Sequence, residues 1–149
     1  MSRLGIFAAV SLVLPLGCNS DIPVSATTRV PPLGITVTVT RVATHPFLAR
    51  FNLKLQVNGP AGCATSSDLF PDTGGVSRRN LYLGADGRVY VIGQFDVRVF
   101  DPDSCDITLR EFRSLGEHMQ YVGVFDVNEA RHWTFFPAAV RSEQSFERS

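Results

Sequence analysis

Ala49-Arg50-Phe51-Asn52-Leu53-Lys54-Leu55-Gln56-Val57 decides the fold class. Ala49, Phe51, Leu53, Leu55 and Val57 alternate with Arg50, Asn52, Lys54 and Gln56, the period of a strand with one buried and one wet face. Asn58-Gly59-Pro60 then ends the run with turn chemistry. Upstream, Ile35, Val37 and Val39 alternate with Thr36, Thr38 and Thr40, a β-branched density that disfavours helix. Downstream, Leu81-Tyr82-Leu83 and Val89-Tyr90-Val91-Ile92 flank Gly84-Ala85-Asp86-Gly87, and Asp-Gly supplies the positive φ that a tight hairpin needs. Phe95, Val97 and Val99 alternate with Gln94, Asp96 and Arg98 until Asp101-Pro102 breaks the period. Ile107–Phe112, Met119–Val127 and His132–Phe136 read as further strands. The expectation is an all-β chain: one antiparallel β-sandwich, immunoglobulin-like, or a small barrel, of about seven or eight strands.

Little else has a regular period. Ser114–Gln120 has room for one helical turn, and Pro137 suits the start of a short helix over Ala138–Arg148. The polar tail, residues 138–149, is equally compatible with disorder. Ala61–Asn80, rich in Gly, Pro, Ser and Asp, reads as one long loop, and loops of that length inside a compact domain are often functional.

The N-terminus has a different pattern. Arg3 precedes an apolar run from Leu4 to Leu16, too short for the roughly 20 residues of a membrane-spanning helix and suited to a signal peptide. The run ends in Leu16-Gly17-Cys18. This resembles the processing site of bacterial lipoproteins, in which the chain is cut before a cysteine that carries a thioether-linked diacylglyceryl group. The resemblance covers only the first twenty or so residues and implies that residues 1–17 are removed and Cys18 is the lipidated N-terminus. Asn19, where inner-membrane lipoproteins often carry aspartate, points to the outer membrane. With Cys18 acylated, Cys63 and Cys105 remain as a pair for an oxidising compartment; two separate buried thiols are the alternative. A disulfide over that separation would stabilise the domain by about 4 kcal/mol on the chain-entropy model. Asn19–Leu33, with Pro23, Pro31 and Pro32, reads as a tether reaching roughly 50 Å when extended. The expected plan is therefore signal peptide 1–17, lipidated end and tether 18–33, β domain 34–137 and tail 138–149.

The chemistry of the chain is mostly defined by absences. Fourteen Lys and Arg balance fourteen Asp and Glu, which gives no electrostatic case for a nucleic-acid partner. There is no Gly-x-Ser-x-Gly elbow, and Lys54, the only lysine, follows Leu53 and so forms no phosphate-binding Gly-Lys pair. His45, His118 and His132 fall in different elements, which argues against a metal centre. Asp101, Asp103 and Asp106 lack the spacing and the closing glutamate of a calcium loop. Trp133, Phe135 and Phe136 in the closing strand are either core or an aromatic contact surface. The functional expectation is a non-catalytic, lipid-anchored module without cofactor, exposed to the periplasm or the cell surface. It would bind the membrane through Cys18 and another envelope protein through Ala61–Asn80 or the closing strand. An inhibitor or exclusion lipoprotein that blocks a receptor or hydrolase, and an envelope-polymer hydrolase, are the competing readings.

Overall fold

The computed structural model describes residues 22–112, 115 and 118–146. They form ten strands: β1 (Val24–Val30), β2 (Ile35–Ala43), β3 (Phe51–Asn58), β4 (Ala64–Asp72), β5 (Arg79–Gly84), β6 (Val89–Ile92), β7 (Val97–Asp101), β8 (Asp106–Arg110), β9 (Met119–Val127) and β10 (Trp133–Pro137). A 3-10 turn stands at Pro31–Leu33, and the described residues contain no α-helix. One sheet has the order β1-β2-β3-β4 and the other β10-β9-β5-β6-β7-β8, with every pairing antiparallel. The sheets stack as a sandwich, not a closed barrel, and the chain changes sheet once, between β4 and β5.

Two of these strands correct the sequence reading. Val24–Val30, expected in the tether, pairs along its whole length with β2, from Val24 opposite Arg41 to Val30 opposite Ile35. The register turns Ala26 and Val30 into the core, and Ser25 and Thr27 bond to Thr40 and Thr38 through their hydroxyls at 2.8 and 2.9 Å. Composition concealed this strand because its outward residues are Ser, Thr and Arg, whose pairing partner lies beyond a Pro-Pro turn. Within the expected loop Ala61–Asn80, Ala64–Asp72 is strand β4, paired with β3 and leaving only residues 73–78 as connection. β4 buries only Leu69 and Asp72 on its inner side, so its hydrophobic period is nearly silent.

The main core lies between the sheets. Ile35, Val37, Val39, Leu53, Leu55 and Val57 from one meet Leu81, Val89, Val91, Phe100, Phe125 and Trp133 from the other. Fully burying such a side chain contributes about 1.5–3 kcal/mol. The six-stranded sheet is buried on its outer face as well, where Tyr82, Ile92, Val97 and Val99 are covered by Phe112, Leu115 and Phe146. Hence central strand β5 is buried along nearly its whole length. The C-terminal segment is the cover: Tyr82 Oη donates to Glu143 at 2.7 Å, and Asn80 Nδ2 donates to the Gln144 carbonyl at 3.0 Å. Arg78 bonds Gln144 and the Ser145 carbonyl and lies over the Phe146 ring. The expected terminal helix is thus absent over residues 138–146; after a turn at Pro137–Arg141 the chain lies extended on the sheet.

Both seams between the sheets are closed. At one, Cys63 in the β3–β4 turn is disulfide-bonded to Cys105 in the β7–β8 turn, with a Cα–Cα distance of 5.8 Å. At the other, β1 meets β10, and Trp133 Nε1 donates to the Val39 carbonyl at 2.8 Å across the core. Next to it β9 carries a bulge at which Leu81 faces Gly123 but Tyr82 faces Tyr121. The bare Cα of Gly123 lets the Phe135 ring lie on the strand, where any Cβ would collide with that ring and with the Phe136 carbonyl.

Candidate functional site

The β4–β5 crossover determines the geometry of one end of the sandwich, the end opposite the disulfide. Asp72, the last residue of β4, turns its carboxylate back onto the connection. Its Oδ1 accepts from Gly74 N and Gly75 N at 3.0 and 2.7 Å, and its Oδ2 from Ser77 Oγ at 2.6 Å. Arg79, the first residue of β5, is 3% exposed. Its guanidinium donates to the carbonyls of Phe70, Val76, Ser77 and Arg78 and pairs with Asp96 at 3.5 Å. Asp96 Oδ2 in turn accepts from Phe70 N at 2.8 Å. Burial pulls the Arg79 guanidinium below its ordinary value, while Asp96 and Asp72 oppose that shift. A buried arginine that donates to so many carbonyls fixes backbone position.

The side chains held by this frame are apolar and exposed. Phe70 leaves the end of β4, Phe95 projects from the β6–β7 turn and Leu109 from β8, with 42%, 66% and 52% of their surface accessible. With Arg110, Glu111 and Phe112 they line an open cleft of about 540 Å³. Arg98 extends across the Phe70 ring, 5.6 Å from its centroid. The expected alternation of Phe95 with Val97 and Val99 therefore breaks at its first residue. Gly93 N donates to the Asp96 carbonyl at 2.8 Å to close the turn, Asp96 goes inward to meet Arg79, and Phe95 faces solvent.

The sequence-predicted aromatic site lies elsewhere. Trp133 is 7% exposed and belongs to the core, so it is no contact surface. Phe135 is partly buried against Phe125, with ring centroids 4.9 Å apart. Phe136 is half-buried under Arg141, whose guanidinium lies 3.5 Å from the ring centroid. The second expected contact surface, Ala61–Asn80, is not one loop: Ala64–Asp72 is strand β4 and only residues 73–78 connect it to β5. Cys63 and Cys105 are joined, whereas Cys18 lies outside the described residues.

No family model, curated protein or solved structure matches the chain.

The site must therefore be judged on its chemistry. Among the described residues no three His, Cys, Asp or Glu side chains come together as a metal-holding group. His45 accepts from the Phe47 and Leu48 amides in the β2–β3 loop, and His132 follows the β9–β10 turn. Asp101 is held by Arg88 at 2.9 Å, which lowers its carboxyl below the ordinary range, and Asp106 bonds the amide of Ile107. The cleft itself offers three aromatic rings and a leucine, rimmed by Arg98, Arg110 and Glu111. This set can accept an apolar anchor and orient it by charge. Sequence reasoning missed Phe70 because it stood in a presumed loop, and Phe95 because a period of two placed it inward. The one available signal was Gly93-Gln94-Phe95-Asp96, a turn composition between two strands.

Proposed function

We propose that this chain is a lipid-anchored cell-envelope protein whose β-sandwich binds another envelope protein through the cleft of Phe70, Phe95 and Leu109. The observation that carries the reading is the exposure of these three large apolar side chains on a frame made rigid by the Arg79–Asp96 pair. Exposed aromatic residues around a cleft, with arginine at the rim, have the composition of a binding hot spot. The Cys63–Cys105 bridge is in keeping with export. The resemblance at Leu16-Gly17-Cys18 suggests the anchor, and Asn19 favours the outer membrane, with the domain in the periplasm or at the cell surface. The role is recognition, without catalysis or cofactor.

The test is site-specific photocrosslinking of the full chain in its own membranes, with a benzophenone side chain at Leu109. A single protein adduct that disappears when Phe95→Ser is added is the expected result. A benzophenone at Lys54, on the wet face of β3, should give none. Equal adducts from both positions, or a Leu109 adduct indifferent to Phe95→Ser, would refute the cleft as the contact.

A further inference from the structure

The same end of the sandwich carries a second apolar corner, next to the β1–β10 seam. Phe47 and Leu48 stand side by side in the β2–β3 loop, 90% and 49% exposed. The loop that presents them is braced: Phe47 N and Leu48 N donate to His45 Nδ1 at 3.1 and 3.0 Å, and Thr44 N donates to the Arg50 carbonyl at 2.9 Å. Because β1 is antiparallel to β2 with Val24 opposite Arg41, the chain enters the fold at this same corner. Its first described apolar residues, Ile22 and Val24, are 59% and 42% exposed. Arg50 in the β2–β3 loop and Arg131 and His132 after β9 are exposed at the same end, with Glu129 the exposed acid between β9 and β10.

The correction at β1 changes the meaning of this corner. With Val24–Val30 in the sheet, only three residues separate Cys18 from Ile22, four steps with a reach of roughly 13 Å when fully extended. A domain tied so closely to an acyl chain keeps its entry corner at the headgroup layer, and what stands at that corner is apolar with an arginine rim. Such a composition suits the boundary between headgroups and acyl chains, where rings enter and guanidinium groups stay with phosphate.

We propose that this corner seats on an anionic lipid bilayer, with Phe47 and Leu48 inserted at the acyl boundary and Arg50 and Arg131 against lipid phosphate. The inference rests on the reading of Cys18 as the anchor, and it goes beyond that reading by fixing the orientation of the domain. The seated corner is at the β1 side, so the Phe70–Phe95–Leu109 cleft at the β4–β8 side of the same end stays close to the membrane, where a membrane-embedded partner would meet it.

The experiment uses the membrane-extracted full protein in vesicles of phosphatidylethanolamine and phosphatidylglycerol, with and without bromine on the acyl chains. Trp133, the only native tryptophan, is buried in the core and gives the background. A Phe47→Trp variant should lose most of its added emission in brominated vesicles, while Gln56→Trp, on the wet face of β3, should keep its own. Equal emission of Phe47→Trp in both kinds of vesicle, or equal loss at both positions, would overturn the seat. Intact mass reads the anchor separately. An acylated chain without quenching at position 47 leaves the anchor and removes the seat. An unacylated chain, added to preformed vesicles and still quenched there, keeps the seat without the anchor, and one that is unquenched removes both.

Discussion

Asp96 shows how one side chain can hold several elements together. It sits in the β6–β7 turn, pairs with Arg79 at the start of β5 and accepts the amide of Phe70 at the end of β4. It is 2% exposed, so its removal leaves the Arg79 cation buried and short of a counter-charge. Asp96→Ala should therefore cost about 3–5 kcal/mol, read as a fall in the urea midpoint at unchanged m-value. Lys54→Ala, exposed on β3, should stay within about 0.5 kcal/mol of the parent. A small loss at Asp96 would mean that the four carbonyls around Arg79 suffice without it. The pair also explains why Phe95 was misjudged in the sequence. A period of two ranks Phe above Asp for the interior, and only the presence of Arg79 from another strand reverses that order.

Among the elements, the disulfide and strand β1 have opposite histories. The Cys63–Cys105 pairing was legible once Cys18 was set aside, because two cysteines allow one bridge. It joins the edge strands β4 and β8 of different sheets through their turns. Cys63→Ser and Cys105→Ser should each lower stability by up to about 4 kcal/mol. The double variant should be no worse than either single one in equilibrium denaturation, since both singles already abolish the same bond; clear additivity would contradict the shared bridge. Strand β1 was not legible. Its interior residues are Ala26 and Val30, too few to set a period, and its stability comes from a ladder with β2 and hydroxyl pairs that a linear reading cannot supply.

On the scale of the whole molecule, the outer face of the six-stranded sheet makes the fold sensitive to alkali. The three tyrosines, Tyr82, Tyr90 and Tyr121, lie on that face, and burial raises each phenol above its ordinary value. Glu143, which accepts the hydrogen bond of the Tyr82 hydroxyl, adds to the shift there. A phenol whose folded pKa is raised favours the protonated state in the fold. Its contribution is complete below the unfolded value of about 10 and is lost as pH rises through the folded value. Ultraviolet titration should therefore show Tyr82 still protonated where a free phenol ionises, with its ionisation accompanying unfolding at higher pH. A tyrosine that titrates normally in the native protein would place it outside the covered face.

The sequence by itself determined that this chain is all-β and antiparallel and where its clearest strands and its Asp86-Gly87 hairpin lie. Those properties follow from local period and turn chemistry, and each is complete within a few neighbouring residues; the cysteine pairing, across 42 residues, was an expectation from counting that the fold bears out. The tertiary structure alone decided that the strands number ten in an open sandwich, that Trp133 is core, and that Phe70, Phe95 and Leu109 face out. It also decided that β1 brings the chain's entry point to the same end of the sandwich as Phe47. The physical reason is that burial is a property of pairs of surfaces. A residue's side of a strand is set by its neighbours in the chain, but whether that side is covered depends on elements far away in sequence, here the C-terminal segment over Tyr82 and the Arg79–Asp96 pair beneath Phe95.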